Sequence, residues 1–300
     1  MENSCNIYGD AHRMFVQSMM KRKILNSDEF TNLFKICCKR CNLKLSENPS
    51  PKKIQEEKKE FLETINRRIN KVVGLKLKNI TDEINNQRHL VLTSSRTSDK
   101  TFRIAQYSTP ELDYLKVLVE MIITSRSKHI NSMDTINAHK HVQSKKLSLS
   151  QADEILTKFY DNQWLKKEQF GGDFGPVFVR LHPRFIAECE TWLQNTYPDD
   201  IQECSIPKCG KIVIKSIDCA KCKIGFHKNC IFTKKPKGFK SGHCPKCKSE
   251  INLKMIERNE AMEARGLASP RKSPAKKPTR KRKKADETES ESEYESSESE

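Results

Sequence analysis

Long apolar runs are missing from this 300-residue chain. The longest, Val117–Ile123, is interrupted by Glu120 and falls far short of the roughly 20 apolar residues that a membrane-spanning helix needs. Nor does Met1–Asp10, polar and acidic, read as a secretory signal, which requires a basic end followed by an apolar stretch. Hydrophobic residues are scarce overall, at 35% against roughly 45–50% in ordinary globular chains, while charged residues reach 32%. A membrane protein and a secreted protein are both unexpected, and part of the chain is not expected to enter a packed core.

Basic charge and cysteine are what the sequence has in excess. The formal net charge is +17, from 56 basic and 39 acidic residues. Residues 266–300 hold nine basic against eight acidic residues, so residues 1–265 carry +16, a surface suited to polyanions. Seven of the twelve cysteines lie between Cys204 and Cys247; Cys5, Cys37, Cys38, Cys41 and Cys189 are scattered upstream. Without an export signal the compartment is expected to be reducing, where clustered cysteines bind metal more often than they cross-link.

Hydrophobic periodicity divides residues 1–200 into two similar units. In the first, 10–100, Phe15, Met19 and Ile24, then Phe30, Leu33, Phe34 and Cys37, then Phe61, Ile65 and Ile69 mark three helices, the second starting at a Ser27 cap. Strand-like runs Leu75–Ile80 and His89–Thr93 follow. Three helices and a hairpin is the order of a winged helix. The second unit, 108–198, repeats it: a helix from Pro110 with Thr109 as cap, a weaker helix over Asn131–Val142, and a third, Gln151–Tyr160, capped by Ser150. Trp164-Leu165, the turn at Gly171-Gly172 and Val177–Leu181 form the wing, and one more helix, Pro183–Thr196, closes the unit.

This order invites a DNA-binding reading, with the third helix in the major groove. In the second unit that helix carries Asp153 and Glu154 beside Lys158, not the arginines, asparagines or glutamines that read bases. In the first it is lysine-rich, but its lysines are interleaved with Glu56, Glu57, Glu60 and Glu63, as on a solvated helix with i,i+4 pairs. Partner binding or non-specific phosphate contact is the better expectation. Beyond a helix over 251–265, the tail 266–300 reads as disordered: a basic block, Arg271–Lys284, resembling a nuclear-import signal, then an acidic serine-rich block suited to phosphorylation.

The most informative stretch is Cys204-x4-Cys209-x9-Cys219-x2-Cys222-x4-His227-x2-Cys230-x13-Cys244-x2-Cys247. Zinc is held tetrahedrally by thiolate and imidazole, so eight ligands make two closed structural sites. The segment has little apolar material of its own and should fold only with metal. Alternate pairing gives a cross-brace, with Cys204, Cys209, His227 and Cys230 on one ion and Cys219, Cys222, Cys244 and Cys247 on the other. Sequential pairing is the alternative, and His243 is a second nitrogen donor that fits the spacing less well. Eleven lysines and one aspartate between Cys204 and Cys247 add a basic surface for salt-sensitive phosphate contact.

The single histidine in fifth place favours the cross-brace, an architecture that RING and PHD fingers share. A PHD finger carries tryptophan two residues before its seventh ligand; here that residue is Gly242, and the segment has no tryptophan or tyrosine to cage methyl-lysine. Cys244-Pro245-Lys246-Cys247 resembles the end of a RING. That likeness implies a docking surface for a ubiquitin-conjugating enzyme at Ile206 and Pro245, with Lys248 as a basic contact, the plainer reading of Ile206 being local packing. The x4 spacing of the first pair departs from the usual x2 in half of that surface.

Taken together, the chain resembles the first non-SMC element of the Smc five–six complex over roughly residues 10–250. The markers are Ala11-His12-Arg13-Met14-Phe15-Val16-Gln17, Ala152-Asp153-Glu154-Ile155-Leu156 with Phe159 and Asn162-Gln163-Trp164-Leu165, Thr196-Tyr197-Pro198-Asp199, and the variant RING. The resemblance implies tandem winged helices that bind a MAGE-type winged-helix partner and a kleisin subunit, in a nuclear complex for DNA repair and chromosome maintenance. It also implies a RING-like ubiquitin ligase, stimulated by the MAGE partner, that needs no catalytic nucleophile. The rival readings are a non-enzymatic scaffold whose zinc module docks protein or DNA, and a winged-helix transcription factor.

Overall fold

The computed structural model describes residues 6–46, 50–95, 107–169, 175–207, 209–232 and 242–252, with residues 254, 256 and 258. All lie within one compact unit, Met1–Ala268. The tail expected from residue 266, the Gly171-Gly172 turn and Cys5 fall outside the described residues. Of the helix expected over 251–265, only Lys254, Ile256 and Arg258 are described with helical backbone.

The chain forms two winged helices in tandem. The first runs α1 (Asp10–Arg22), β1 (Ile24–Asn26), α2 (Ser27–Arg40), α3 (Pro51–Val73), β2 (Leu75–Thr81) and β3 (Arg88–Ser94), its strands in the order β1-β3-β2. The second repeats it with α4 (Thr109–Thr124), β4 (Ile130–Asn131), α5 (Ser132–Asn137) continued by a 3-10 turn, α6 (Leu149–Asp161), β5 (Leu165–Gln169) and β6 (Val177–Leu181), ordered β4-β6-β5. Strands β1 and β4 were not expected. At three and two residues they carry no legible alternation, and pairing with β3 and β6 alone defines them.

The helix starts shift from Ser27, Thr109 and Ser150 to Asn26, Ser108 and Ser148. A capping box needs a Glu or Gln three residues after the cap, and Glu29, Glu111 and Gln151 occupy those places. The single helix expected over Pro183–Thr196 is two, α7 (Pro183–Glu188) and α8 (Glu190–Thr196). Cys189, at φ −107° and ψ 16°, breaks the helix and brings Trp192 edge-on to Phe185.

Packing explains the motif residues. His12 is fully buried on α1, stacked on Phe61 at 4.2 Å, and its Nδ1 accepts from Gly9 N. Trp164 is buried beneath the Arg184 guanidinium, which also donates to the Asn162 carbonyl. Helix α3 is less solvated than its charge pattern implies. Glu57 turns inward and accepts from Ser46 N and Oγ, and Lys58 is buried over Phe30 with a bond to Thr31 Oγ1. Only Lys59–Glu63 forms an i,i+4 pair among the described residues of this helix.

The two winged helices meet through α7, whose Ala187 joins Ile24, Val91 and Ile80 on the outer face of the first sheet. At the β2–β3 turn, Asp82 is 1% exposed and its Oδ2 lies 2.6 Å from Arg180 Nη2 of β6, which also bonds Glu168. Burial opposes ionisation of Asp82, but the hydrogen bond and charge of Arg180 outweigh it and hold the carboxyl below the usual carboxylate range. Removing Arg180 leaves that carboxylate buried with only the more distant Lys166 ammonium, at 3.9 Å, to offset its charge. Arg180→Ala is expected to cost about 3–5 kcal/mol, read from urea unfolding, with part of the loss recovered by adding Asp82→Asn.

His182 caps α7, its Nδ1 accepting from Arg184 N. Burial, reinforced by His89 and Arg180, pushes its pKa down to about 3, so the folded state holds it neutral. A histidine depressed in the folded state contributes stability above its unfolded pKa of about 6.5 and loses it as pH falls toward 3. Thermal unfolding followed between pH 7 and 4 should show this loss, flattened in His182→Asn, which caps without titrating.

Candidate metal centre

The remaining described elements are short: β7 (Gln202–Glu203), β8 (Ile212–Val213), β9 (Ile217–Asp218), β10 (Gly225–Phe226) and α9 (Lys228–Phe232). They form two hairpins and a single helical turn, with Phe226 and Val213 fully buried between them. Secondary structure of this size cannot hold itself together in water, so the side chains at its centre must supply the cohesion.

Those side chains fall into two groups. Cys204, Cys209, His227 and Cys230 bring their ligand atoms within 4.8 Å of one another, and Cys219, Cys222, Cys244 and Cys247 do the same. This is the alternate grouping; sequential pairing is not what the chain adopts. The α9 turn sets the spacing of His227 and Cys230, whose amide donates to the His227 carbonyl. Each Cys-x2-Cys knuckle closes on a lysine in the left-handed region, Lys223 (φ 60°) after the first and Lys248 (φ 58°) after the second. His243 belongs to neither group: it is half-buried and pairs through its backbone with Glu250.

The donor spacing suits a tetrahedral ion. In the second group Sγ–Sγ separations are 3.4 Å for Cys219–Cys247 and for Cys222–Cys244. In the first, Cys209 and Cys230 are 3.6 Å apart and lie 3.5 and 3.7 Å from His227 Nδ1. Zinc–sulfur bonds of about 2.3 Å place tetrahedral sulfurs about 3.8 Å apart. None of these contacts is a disulfide, and the described cysteines are all free. An ion here would be structural: four protein donors close each site and leave no open position for a substrate.

Several surrounding residues were not legible in the sequence. The Ser249 hydroxyl lies 3.2 Å from Cys219 Sγ and 3.0 Å from Cys247 Sγ, and its hydrogen bonds lead the causes that hold both thiols below their ordinary range. His227 Nε2 faces two acceptors, the Ile212 carbonyl at 2.9 Å and Glu83 Oε1 at 3.3 Å. Since both accept only, Nε2 carries the proton, and in a metal-bound ring Nδ1 would be the nitrogen that offers its lone pair beside the cysteines. Glu83 comes from the first wing, far away in sequence. Its carboxylate also accepts from Ile214 N at 3.0 Å and Lys215 N at 2.6 Å.

The three residues expected to dock a conjugating enzyme do not share a surface. Pro245 is half-buried and Lys248 exposed, but Ile206 is 4% exposed, packed in the module's core with Val213, Phe226 and Ile231. The four-residue gap between Cys204 and Cys209 turns Ile206 inward, its carbonyl accepting from Cys209 N. Gly242, where a PHD finger has tryptophan, sits at φ 74°, a conformation that strains any side-chain-bearing residue. Upstream, burial pushes the Cys37 thiol up to about 11 and the Cys189 thiol higher still, so neither is a ready nucleophile.

Residues 12–189 match the family described as the Nse1 non-SMC component of the SMC5-6 complex. The chain belongs to this family. It is similar to the non-structural maintenance of chromosomes element 1 homologs of Bos taurus, at 28% identity over 79% of this chain and 82% of the relative, and of Homo sapiens, at 26% over 79% and 81%. Among solved structures, a chain of an Nse1-Nse3-Nse4 complex superposes with a TM-score of 0.63 and 24% identity, covering 81% of this chain and 97% of that one. That likeness speaks for the fold.

Two outcomes follow for the cysteine-rich module. With cobalt as a spectroscopic ion, Cys209→Ser and Cys230→Ser should each abolish the ligand-field bands of the histidine-containing site and spare those of the all-cysteine site. Cys219→Ser and Cys244→Ser should do the reverse. Ile206→Ala should cost about 2–5 kcal/mol, as deletion of a buried isoleucine does, and weaken metal retention, read by calorimetry and zinc content.

Proposed function

We propose that the chain is a zinc-dependent ubiquitin-ligase subunit of a nuclear SMC5-6 complex, working on chromosomes in DNA repair. Its two sites would hold zinc through Cys204, Cys209, His227 and Cys230, and through Cys219, Cys222, Cys244 and Cys247. The observation that carries the reading is the alternate grouping of these eight donors, with Pro245 and Lys248 at the surface beside the last knuckle. In this reading the module binds a ubiquitin-conjugating enzyme and orients its thioester toward a substrate lysine, so the rate gain comes from positioning. Such a mechanism needs no nucleophile or base from the chain, and the Cys37 and Cys189 thiols are pushed up by burial. The MAGE-type winged-helix subunit and the kleisin subunit are the proposed partners; the solved complex named for Nse1, Nse3 and Nse4 supports that assembly.

A specific observation favours a second reading, a non-enzymatic scaffold. With Ile206 in the core, half of the expected docking surface is absent, leaving Pro245 and Lys248 to make the contact. Sequence-selective DNA reading has no support. Helix α6 presents Asp153 and Glu154, and Lys158 is engaged with Glu111; the first wing turn is packed against Arg180 and the cysteine-rich module. Phosphate contact independent of sequence is left to the lysines of the module.

The deciding experiment follows discharge of ubiquitin from pre-charged conjugating enzymes to free lysine, with the zinc-loaded chain alone and with its MAGE-type partner. Acceleration is expected, lost in Cys244→Ala and reduced about tenfold, or about 1.4 kcal/mol of transition-state stabilisation, in Pro245→Ala. No acceleration in either state, with two zinc ions per chain confirmed, would establish the scaffold.

A further inference from the structure

The first wing turn faces a place where three parts of the molecule meet. Asp82 holds Arg180 of the second winged helix, and the adjacent Glu83 reaches the cysteine-rich module. Lys211 reinforces that junction, donating from Nζ to the Asn79 carbonyl at 2.7 Å. Glu83 is 15% exposed at its side chain, and both of its oxygens are engaged: Oε1 by Ile214 N and His227 Nε2, Oε2 by Lys215 N and more distantly by Ile214 N. A carboxylate withdrawn from water and surrounded by donors is oriented firmly.

We propose that Glu83 is a positioning residue of the histidine-containing site: from the wing of a different domain it holds the His227 imidazole in the ligating tautomer, so that metal retention at this site and docking of the module on the first winged helix are one coupled event. The proposal rests on the reading of Cys204, Cys209, His227 and Cys230 as a zinc site. Metal-ligating histidines commonly give their second N–H to a carboxylate or carbonyl, which fixes the ring and makes it a better donor. Here the Ile212 carbonyl and Glu83 share that proton, and the same carboxylate secures the Ile214 and Lys215 amides just beyond β8. Releasing the wing would therefore free the ring and the strand end together. Coupling is reciprocal: a metal that fixes His227 also fixes the group to which the wing binds. The all-cysteine site is tied differently. Its outer contact is Ser249, five residues beyond Cys244 and within the module itself.

The two sites therefore differ in a way that can be measured on the full chain. With cobalt in both, excess EDTA removes the metal while the ligand-field bands of the two sites are followed separately. Glu83→Ala is expected to speed loss from the histidine-containing site by about 10–100-fold and leave the all-cysteine site at the wild-type rate. Glu83→Gln keeps an acceptor for the two amides but removes the charge, and should give an intermediate rate at the histidine-containing site alone. A fold control comes from the thermal transition of the winged helices, which neither variant should abolish. Wild-type rates at both sites in both variants would overturn the proposal and assign the ring's orientation to the Ile212 carbonyl. Equal acceleration at both sites would also overturn it, showing a general loosening of the module. If the wild-type chain takes up no cobalt with thiolate bands, the zinc reading itself fails, an outcome distinct from the other two.

Discussion

The buried ion pair between Asp82 and Arg180 is the constraint on which the arrangement of the parts depends. Both groups are withdrawn from water, and neither is tolerable there alone, so the first wing turn stays wherever Arg180 is. Arg180 sits on the central strand of the second winged helix, a rigid element with the core of that domain behind it. Fixing Asp82 also fixes Glu83 beside it, and Glu83 takes two amides and a ring nitrogen of the cysteine-rich module. One dipeptide thus joins two domains and a module that has little core of its own.

That arrangement bears on what the winged helices can do. A wing that grips nucleic acid must be free at its tip, and this one is occupied by internal contacts. The third helices differ: α6 exposes Asp153 and Glu154, whereas α3 turns Glu57 and Lys58 inward and exposes Arg67, Arg68 and Asn70 near Glu63. With the first wing turn occupied by internal contacts and α6 exposing acidic side chains, the pair is better suited to holding protein partners than to reading DNA through that wing. Membership of the Nse1 family agrees with such a role.

The module itself shows how few interactions can define a shape when they are the right kind. Its strands are two residues long and its helix a single turn. Two groups of four donors, interleaved along the chain, tie the segment into one body, since each group closes a loop that carries donors of the other. Within the four-residue gap between Cys204 and Cys209, Ile206 packs into the interior of the module and not at its surface.

Much was legible in the sequence for a simple reason: helix stripes and ligand spacings are local, and local geometry is periodic. The three-helix order of both units, the eight donor residues and the mismatch with a PHD finger all follow from spacing along the chain. Cap positions are less so: read from the cap residue alone they fall one or two residues late, at Ser27, Thr109 and Ser150, because the Glu or Gln three residues after the true cap is not weighed with it. Tertiary structure alone decided the rest. Strands β1 and β4 exist because a neighbour pairs with them, and Ile206 is buried because the loop around it folds inward. Glu83 meets His227 across 143 intervening residues, because a wing from one domain comes to rest on another. No pattern of apolar residues encodes such a meeting: it depends on where whole domains pack, and on the penalty for leaving a charge such as Asp82 in the interior without its partner.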